Sequence, residues 1–321
     1  MASNFKKRIA QQLGVPLRIR ARTLAEGSST GLHRSATKGA GIEFAGHRAY
    51  VPGDDLRHID RHARLRHNRL LVRQFHTDTE RSIHLLVDTS ASMAYAGPDT
   101  QLPSKLDVAL LLAGALGYAA HKAGDGVALT LVNAHDTQTW AGRHGVPVEQ
   151  VLSLLEGAQL SPASSERERD VQDRSPRPVA DQTLIQANWQ RAIFHLGSSM
   201  RRGAILFVLS DLLDFTPLLT KNLLALSTLG RSVRVAQILT PSELSFPFEG
   251  PTLFRDPETK LVVQADANKA KQRYLTALAE LSAPLYDQLS HVGGSFLRVL
   301  TDSSEQLVLS QLVRGTSIRG Q

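Results

Sequence analysis

No cysteine occurs among the 321 residues, so neither a disulfide framework nor a thiolate metal site is available. This fits a reducing compartment, and the cytoplasm is the expected location. Long apolar runs are missing too. The longest near-continuous one, Val108 to Ala120, has 13 residues and two glycines. It falls short of the roughly 20 residues that cross a bilayer and reads as a buried helix. The start, MASNFKKRIAQQLGVPLRIRAR, is basic but lacks the continuous apolar core and small-residue cleavage site of a secretory signal, so no export is expected. Nor is there a phosphate-cradling G-x-x-x-x-G-K-[ST], a G-x-G-x-x-G after a strand, or a G-x-S-x-G elbow. Those absences disfavour an ATPase, a dehydrogenase and an esterase.

What is present begins with charge. The net +7 is unevenly spread: residues 1–81 hold 16 Lys and Arg against 7 Asp and Glu, and the remainder holds 21 against 23. A basic front suits nucleic acid, an anionic membrane surface or an acidic protein, and equally a solvated face docked on the acidic remainder. Six arginines lie between Arg57 and Arg73, yet the only nearby aromatics are Tyr50 and Phe75. Single-strand binding interleaves stacking rings with charge, so nucleic acid is a secondary expectation. Several of these arginines could instead pair with Asp54, Asp55, Asp60 and Glu80 to fix the subdomain.

From residue 82 onward, short Val/Ile/Leu runs alternate with segments of helical period, the pattern of a parallel sheet covered by helices. Strands are predicted at about 82–88, 126–134, 203–210, 233–239 and 295–300, with helices at about 103–123, 148–157, 183–196, 216–229, 266–292 and 303–314. Ser303 with Gln306 forms a capping box, Gly293-Gly294 closes the preceding helix, and Pro284 should kink or split it. Residues 161–182 are charged, Ser/Pro-rich and nearly without apolar side chains, which predicts a mobile loop. Residues 1–81 read as a basic accessory subdomain, with a short helix capped by Asp54 or Asp55 and a strand at RLLVRQF. Residues 82–321 form the main domain.

The chemistry concentrates at strand ends. HLLVDTSASM runs an apolar strand into Asp88, followed by Thr89, Ser90 and Ser92, and AILFVLS delivers Asp211 from a second strand. Ligands of open parallel sheets sit beyond the carboxyl ends of the strands. Thr183 opens the helix TLIQANWQRAI. All are hard oxygen donors, and Mg²⁺ is typically held by one or two carboxylates with several retained waters. The same residue types also serve as ordinary caps and turns.

Asp88-Thr89-Ser90-Ala91-Ser92 resembles the D-x-S-x-S metal-ion-dependent adhesion site of von Willebrand factor A domains, with Thr183 and Asp211 similar to its separate threonine and later aspartate. Upstream, GIEFAGHRAYVPGDDLRHID, ARLRHNRLLVRQF and Glu80 resemble the bacterial family called domain of unknown function 58. Arg61 departs from that pattern, which has a tryptophan there, and Asp181-Gln182-Thr183 stands where GGT is usual. The combined likeness runs from about Gly14 to Val313.

The resemblance implies an α/β fold, a doubly wound, mostly parallel sheet flanked by helices, with Mg²⁺ or Mn²⁺ held by Asp88, Ser90, Ser92, Thr183 and Asp211. It implies a non-enzymatic docking module completed by an acidic side chain of a partner. Family members are usually encoded beside MoxR-type AAA+ ATPases, so such an ATPase is the expected partner, with a client protein as a further one and no small-molecule substrate.

Two other chemistries compete. His58 and His62 share a helical spacing near Asp60, but HIDRH lacks the glutamate that acts as base in zinc proteases. A Mg²⁺-dependent phosphoester hydrolase would also use an aspartate at a first strand end, yet the place of its second acid is Ser90.

Overall fold

The computed structural model describes residues 15–28, 38–39, 43–51, 59–60, 71–76, 81–99, 101–142, 144–160, 182–227, 230–258 and 261–317. The chain divides into two compact units, 33–80 and 1–32 with 81–321. Helix α1 (Leu17–Gly27) therefore belongs to the larger unit rather than to a subdomain spanning 1–81.

The smaller unit carries an antiparallel sheet of β1 (Lys38–Gly39), β2 (Glu43–Ala49) and β3 (Leu71–His76) in the order β1-β3-β2. Strand β3 falls within the expected RLLVRQF run from Leu71 and extends to His76. His47 Nε2 meets Asp60 Oδ2 at 2.8 Å. The helix expected after Asp54 does not extend over Ile59 and Asp60: Ile59 bridges Val72 of β3 in antiparallel fashion and the Asp60 N–H donates to Leu71 O at 2.8 Å, as befits an extended segment. The rest of that expected helix, His58, His62, Glu80 and the arginines from Arg57 to Arg69 lie outside the described residues, as does the loop 161–182 up to residue 181.

The larger unit is built on six strands: β4 (Ser82–Asp88), β5 (Gly126–Val132), β6 (Thr137–Trp140), β7 (Ile205–Ser210), β8 (Ser232–Leu239) and β11 (Ser295–Leu300). Their order is β11-β8-β7-β4-β5-β6, and every pairing is parallel except β5 with β6. Such a sheet must be covered on both faces, which is why Ile83 through Asp88 are all buried.

Strand parity sorts the two cores. Ile83, Leu85, Val87, Phe207 and Leu209 pack with α1, α2 (Lys105–Lys122), α3 (Val148–Gln159) and α8 (Glu305–Arg314). Leu86, Leu206 and Val208 pack with α4 (Gln182–Ser199), α5 (Pro217–Leu226) and α7 (Ala267–His291). The run Val108–Ala120 forms the centre of α2 and is buried almost throughout.

The chain leaves β4 toward β5 and β6, then returns to β7 on the other side of β4 and proceeds outward to β11. Strand order thus reverses between β4 and β7, and the place beyond the carboxyl ends at such a reversal is where open parallel sheets bind ligands.

Three local expectations need correction. The cap of α8 is Ser304, not Ser303, and its side chain makes no capping bond; Ser303 instead closes a turn through its N–H on Leu300 O at 2.9 Å. Helix α7 is not split at Pro284, which lies within its single run. Sequence periodicity also misses α6 (Pro241–Ser245) and the hairpin of β9 (Pro251–Arg255) and β10 (Val262–Asp266), whose alternate residues are too exposed for an apolar pattern. Gly293, at φ 75°, does close α7, with the Gly294 N–H on Leu289 O at 2.9 Å.

Candidate metal centre

Parity places Asp88 on the same sheet face as Ser210 of the neighbouring strand. Ser210 Oγ accepts the Leu212 N–H at 2.9 Å and donates to Asp88 Oδ2 at 2.6 Å. Leu212, buried at φ 66°, is held in the left-handed region that a branched side chain rarely adopts, so the turn after β7 is built at a cost. The other Asp88 oxygen accepts the Ser90 N–H at 3.0 Å. Thr89 donates its N–H and hydroxyl to Val132 O at 2.7 and 3.1 Å, pinning the turn to β5.

Ser90 Oγ and Ser92 Oγ then lie 3.1 Å apart. That spacing serves a hydroxyl hydrogen bond. It also matches an edge of an oxygen octahedron around Mg²⁺, about 3 Å for metal–oxygen bonds of roughly 2.1 Å. Asp88, Ser90, Ser92 and Asp211 are all buried.

Asp211 is held differently. Oδ1 accepts the Leu213 N–H at 3.0 Å, and Oδ2 accepts from Lys105 Nζ at 2.8 Å. The same ammonium donates to Glu243 Oε1 at 2.7 Å, and Glu243 Oε2 accepts the Thr240 N–H at 2.7 Å in the capping box of α6. A second capping box, Ser104 with Asp107, starts α2 at Lys105 and so fixes where the lysine enters.

Electrostatics follow from these contacts. Burial pushes the Asp88 carboxyl up to about 8, and the Asp211 charge adds to this, against the Ser210 and Ser90 bonds that favour the ionised form. For Lys105 burial opposes the charge, but Asp211 and Glu243 together outweigh it and hold the ammonium above the usual lysine range. Burial, followed by the charges of Asp211, Glu258 and Asp256, raises Asp214 to about 7.

A further carboxylate reaches the same turn. The Ser92 N–H donates to Glu258 Oε1 at 2.9 Å, across 166 residues of sequence. Burial raises the Glu258 pKa, and Asp211 and Asp256 raise it further against its bonds to the Ser92 and Ala91 amides.

Among the described residues no three His, Asp or Glu side chains group to hold a metal ion. The donors here are two carboxylates with hydroxyls, a set that suits an oxygen-seeking cation retaining several waters. The fit rests on convergence and on the Ser90–Ser92 spacing. Thr183 differs from the rest: it lies exposed in the first turn of α4.

Sequence reasoning missed Ser210, Lys105, Glu243 and Glu258. Thr240-x-x-Glu243 before a helix was a readable capping signal, and a lysine opening an otherwise apolar helix signals a buried pair. Glu258 had no local signal.

Comparisons agree with the upstream motif. The model of the family described as "Protein of unknown function DUF58" matches residues 46–283. The uncharacterized protein Mb1516 of Mycobacterium bovis is 23% identical over 291 residues, covering 89% of this chain and 83% of its own length. The uncharacterized protein Rv1480 of Mycobacterium tuberculosis matches with the same figures. Among solved structures, an aerotolerance-related membrane protein of Bacteroides fragilis is similar at 17% identity and a TM-score of 0.42, covering 73% of this chain and 98% of that one. The conserved hypothetical protein BatB of Bacteroides thetaiotaomicron is similar at 18% identity and 0.41, covering 73% and 97%. No helix among the described residues is long and apolar enough to cross a membrane.

Proposed function

The chain belongs to the DUF58 family of proteins of unknown function, and from the oxygen donors at its strand-order reversal we propose a non-enzymatic, metal-dependent protein-interaction module with a von Willebrand A-like fold. The observation that carries this reading is the convergence of Asp88, Ser90 and Ser92 with Asp211 at adjacent strand ends. Asp88 and the two serine hydroxyls would hold Mg²⁺ or Mn²⁺, and Asp211, already engaged by Lys105, would contribute charge through water. Bound there, the cation supplies positive charge and open coordination positions to an acidic side chain.

The chain's own residues do the positioning. Ser210 orients Asp88, Thr89 sets the turn, and Lys105 holds Asp211 in place through a buried ion pair. The partner this reading favours is a MoxR-type AAA+ ATPase, on the resemblance of the motifs between Gly41 and Phe75, with a client protein beyond it.

The test is binding of a purified MoxR-type ATPase with Mg²⁺ and with chelator, for wild type and Asp88→Ala. Binding that needs both the metal and Asp88 supports docking through the site. Equal binding in every arm overturns it. Phosphoester turnover lost in Asp88→Ala would replace the adaptor reading with a hydrolase.

A further inference from the structure

The hairpin β9–β10 does not end in an idle loop. Its strands pair from Val262 with Arg255 to Asp266 with Pro251, and the Ala267 N–H closes its base on Gly250 O at 2.8 Å. Phe254 on β9 stacks with Phe246 at 5.8 Å between ring centroids, and Phe246 meets Tyr274 of α7 at 5.2 Å, so the hairpin is fastened by packed rings. Beyond β9, Asp256 Oδ1 accepts the Glu258 N–H at 2.9 Å, a side-chain turn that fixes where Glu258 points.

The place it points to is the turn carrying Ser90 and Ser92, where the Ser92 N–H holds its carboxylate. A half-buried glutamate is thereby seated on the turn that carries two of the proposed hydroxyl ligands, while Lys105 is engaged by Asp211 and Glu243.

Resting on the cation reading above, we propose that Glu258 is the site's own acidic ligand: the hairpin seats in cis the carboxylate that docking would otherwise draw from a partner. An acidic partner then has to displace Glu258, and with it the hairpin tip, to reach the cation. The module is self-capped, and the affinity of a partner is set against an internal competitor.

The full chain titrated with Mn²⁺ tests this, by free-ion electron paramagnetic resonance for affinity and by water-proton relaxation for the number of waters on the bound ion. Glu258→Gln is isosteric and keeps an oxygen for the Ser92 amide. It should weaken Mn²⁺ by at least about tenfold and add one water to the bound ion. Asp214→Asn removes the same charge nearby and should leave the water number unchanged. If wild type binds Mn²⁺ and the water number in Glu258→Gln does not rise, the cis-ligand role is overturned and the cation site stands. If wild type binds no Mn²⁺, both readings fall.

Discussion

Asp88 and Asp211 leave neighbouring parallel strands at one sheet edge and are equally buried, at 1% exposure each, yet their surroundings differ in kind. Asp88 is held by neutral donors alone, a serine hydroxyl and a backbone amide. Asp211 has an ammonium against it. A carboxylate stripped of water and given only neutral partners resists ionisation, whereas the charge of one set against a buried lysine has a partner within the chain. The two aspartates of the proposed site therefore play different parts: Asp211 is electrically answered within the chain, and Asp88 is the one left seeking a cation.

The sharpest way to break this contrast is to take Asp211's partner away. Lys105→Met removes a buried ammonium shared by Asp211 and Glu243. Truncating one member of a buried ion pair costs about 3–5 kcal/mol, read by chemical denaturation of the metal-free protein. Mg²⁺ should recover part of that loss, since Asp211 then resembles Asp88 in needing a cation. A variant as stable as wild type would show that the lysine does not answer Asp211.

Next in size is removal of the unanswered carboxylate. Asp88→Asn should cut Mg²⁺ affinity by roughly 100-fold in calorimetric titration, the upper range for changes around a metal site. In the absence of metal it should melt no lower than wild type, because it replaces a carboxyl that must take up a proton on folding with a neutral group that need not. A large drop in metal-free stability would place Asp88 in an ordinary structural role.

The same contrast has a pH signature. The Asp88 carboxyl moves from 3.8 in the unfolded chain to about 8 in the folded one. Between these values the folded state holds a proton that the unfolded state has lost, so this group's contribution to stability is full below about 4 and is lost as pH rises through about 8. A cation must displace that proton. Mn²⁺ affinity should therefore rise by up to tenfold per pH unit from about 6 to 8. In the metal-free protein the melting advantage of Asp88→Asn over wild type should grow across the same window. A flat affinity profile would mean that Asp88 is already ionised at pH 6.

Half of this arrangement was legible in the sequence. Alternating apolar runs gave the sheet, because strands covered on both faces must be continuously apolar, and each site strand advertised its carboxylate by ending on it. Asp88, Ser90 and Ser92 were readable because they sit within five residues. What stayed hidden depends on distance along the chain. Lys105 meets Asp211 across 106 residues and Glu258 meets Ser92 across 166, and no periodicity encodes such pairings. The exposed hairpin that carries Glu258 lacks the buried face on which strand patterns depend.

The smallest effect concerns Thr183, grouped with the aspartates by motif. It opens α4, yet it is exposed where Asp88, Ser90, Ser92 and Asp211 are buried. A ligand contributes to cation binding in proportion to how fully its oxygen is withdrawn from competing water, and an exposed hydroxyl has water available at little cost. Thr183→Val should therefore change Mn²⁺ affinity by less than about threefold and stability by less than about 0.5 kcal/mol, as surface substitutions do. Ser90→Ala, whose hydroxyl is withdrawn from solvent beside Asp88, should cost at least about tenfold in the same titration. Equal losses in both variants would mean that cation binding draws α4 onto the site, and the contrast between buried and exposed donors would then describe only the metal-free state.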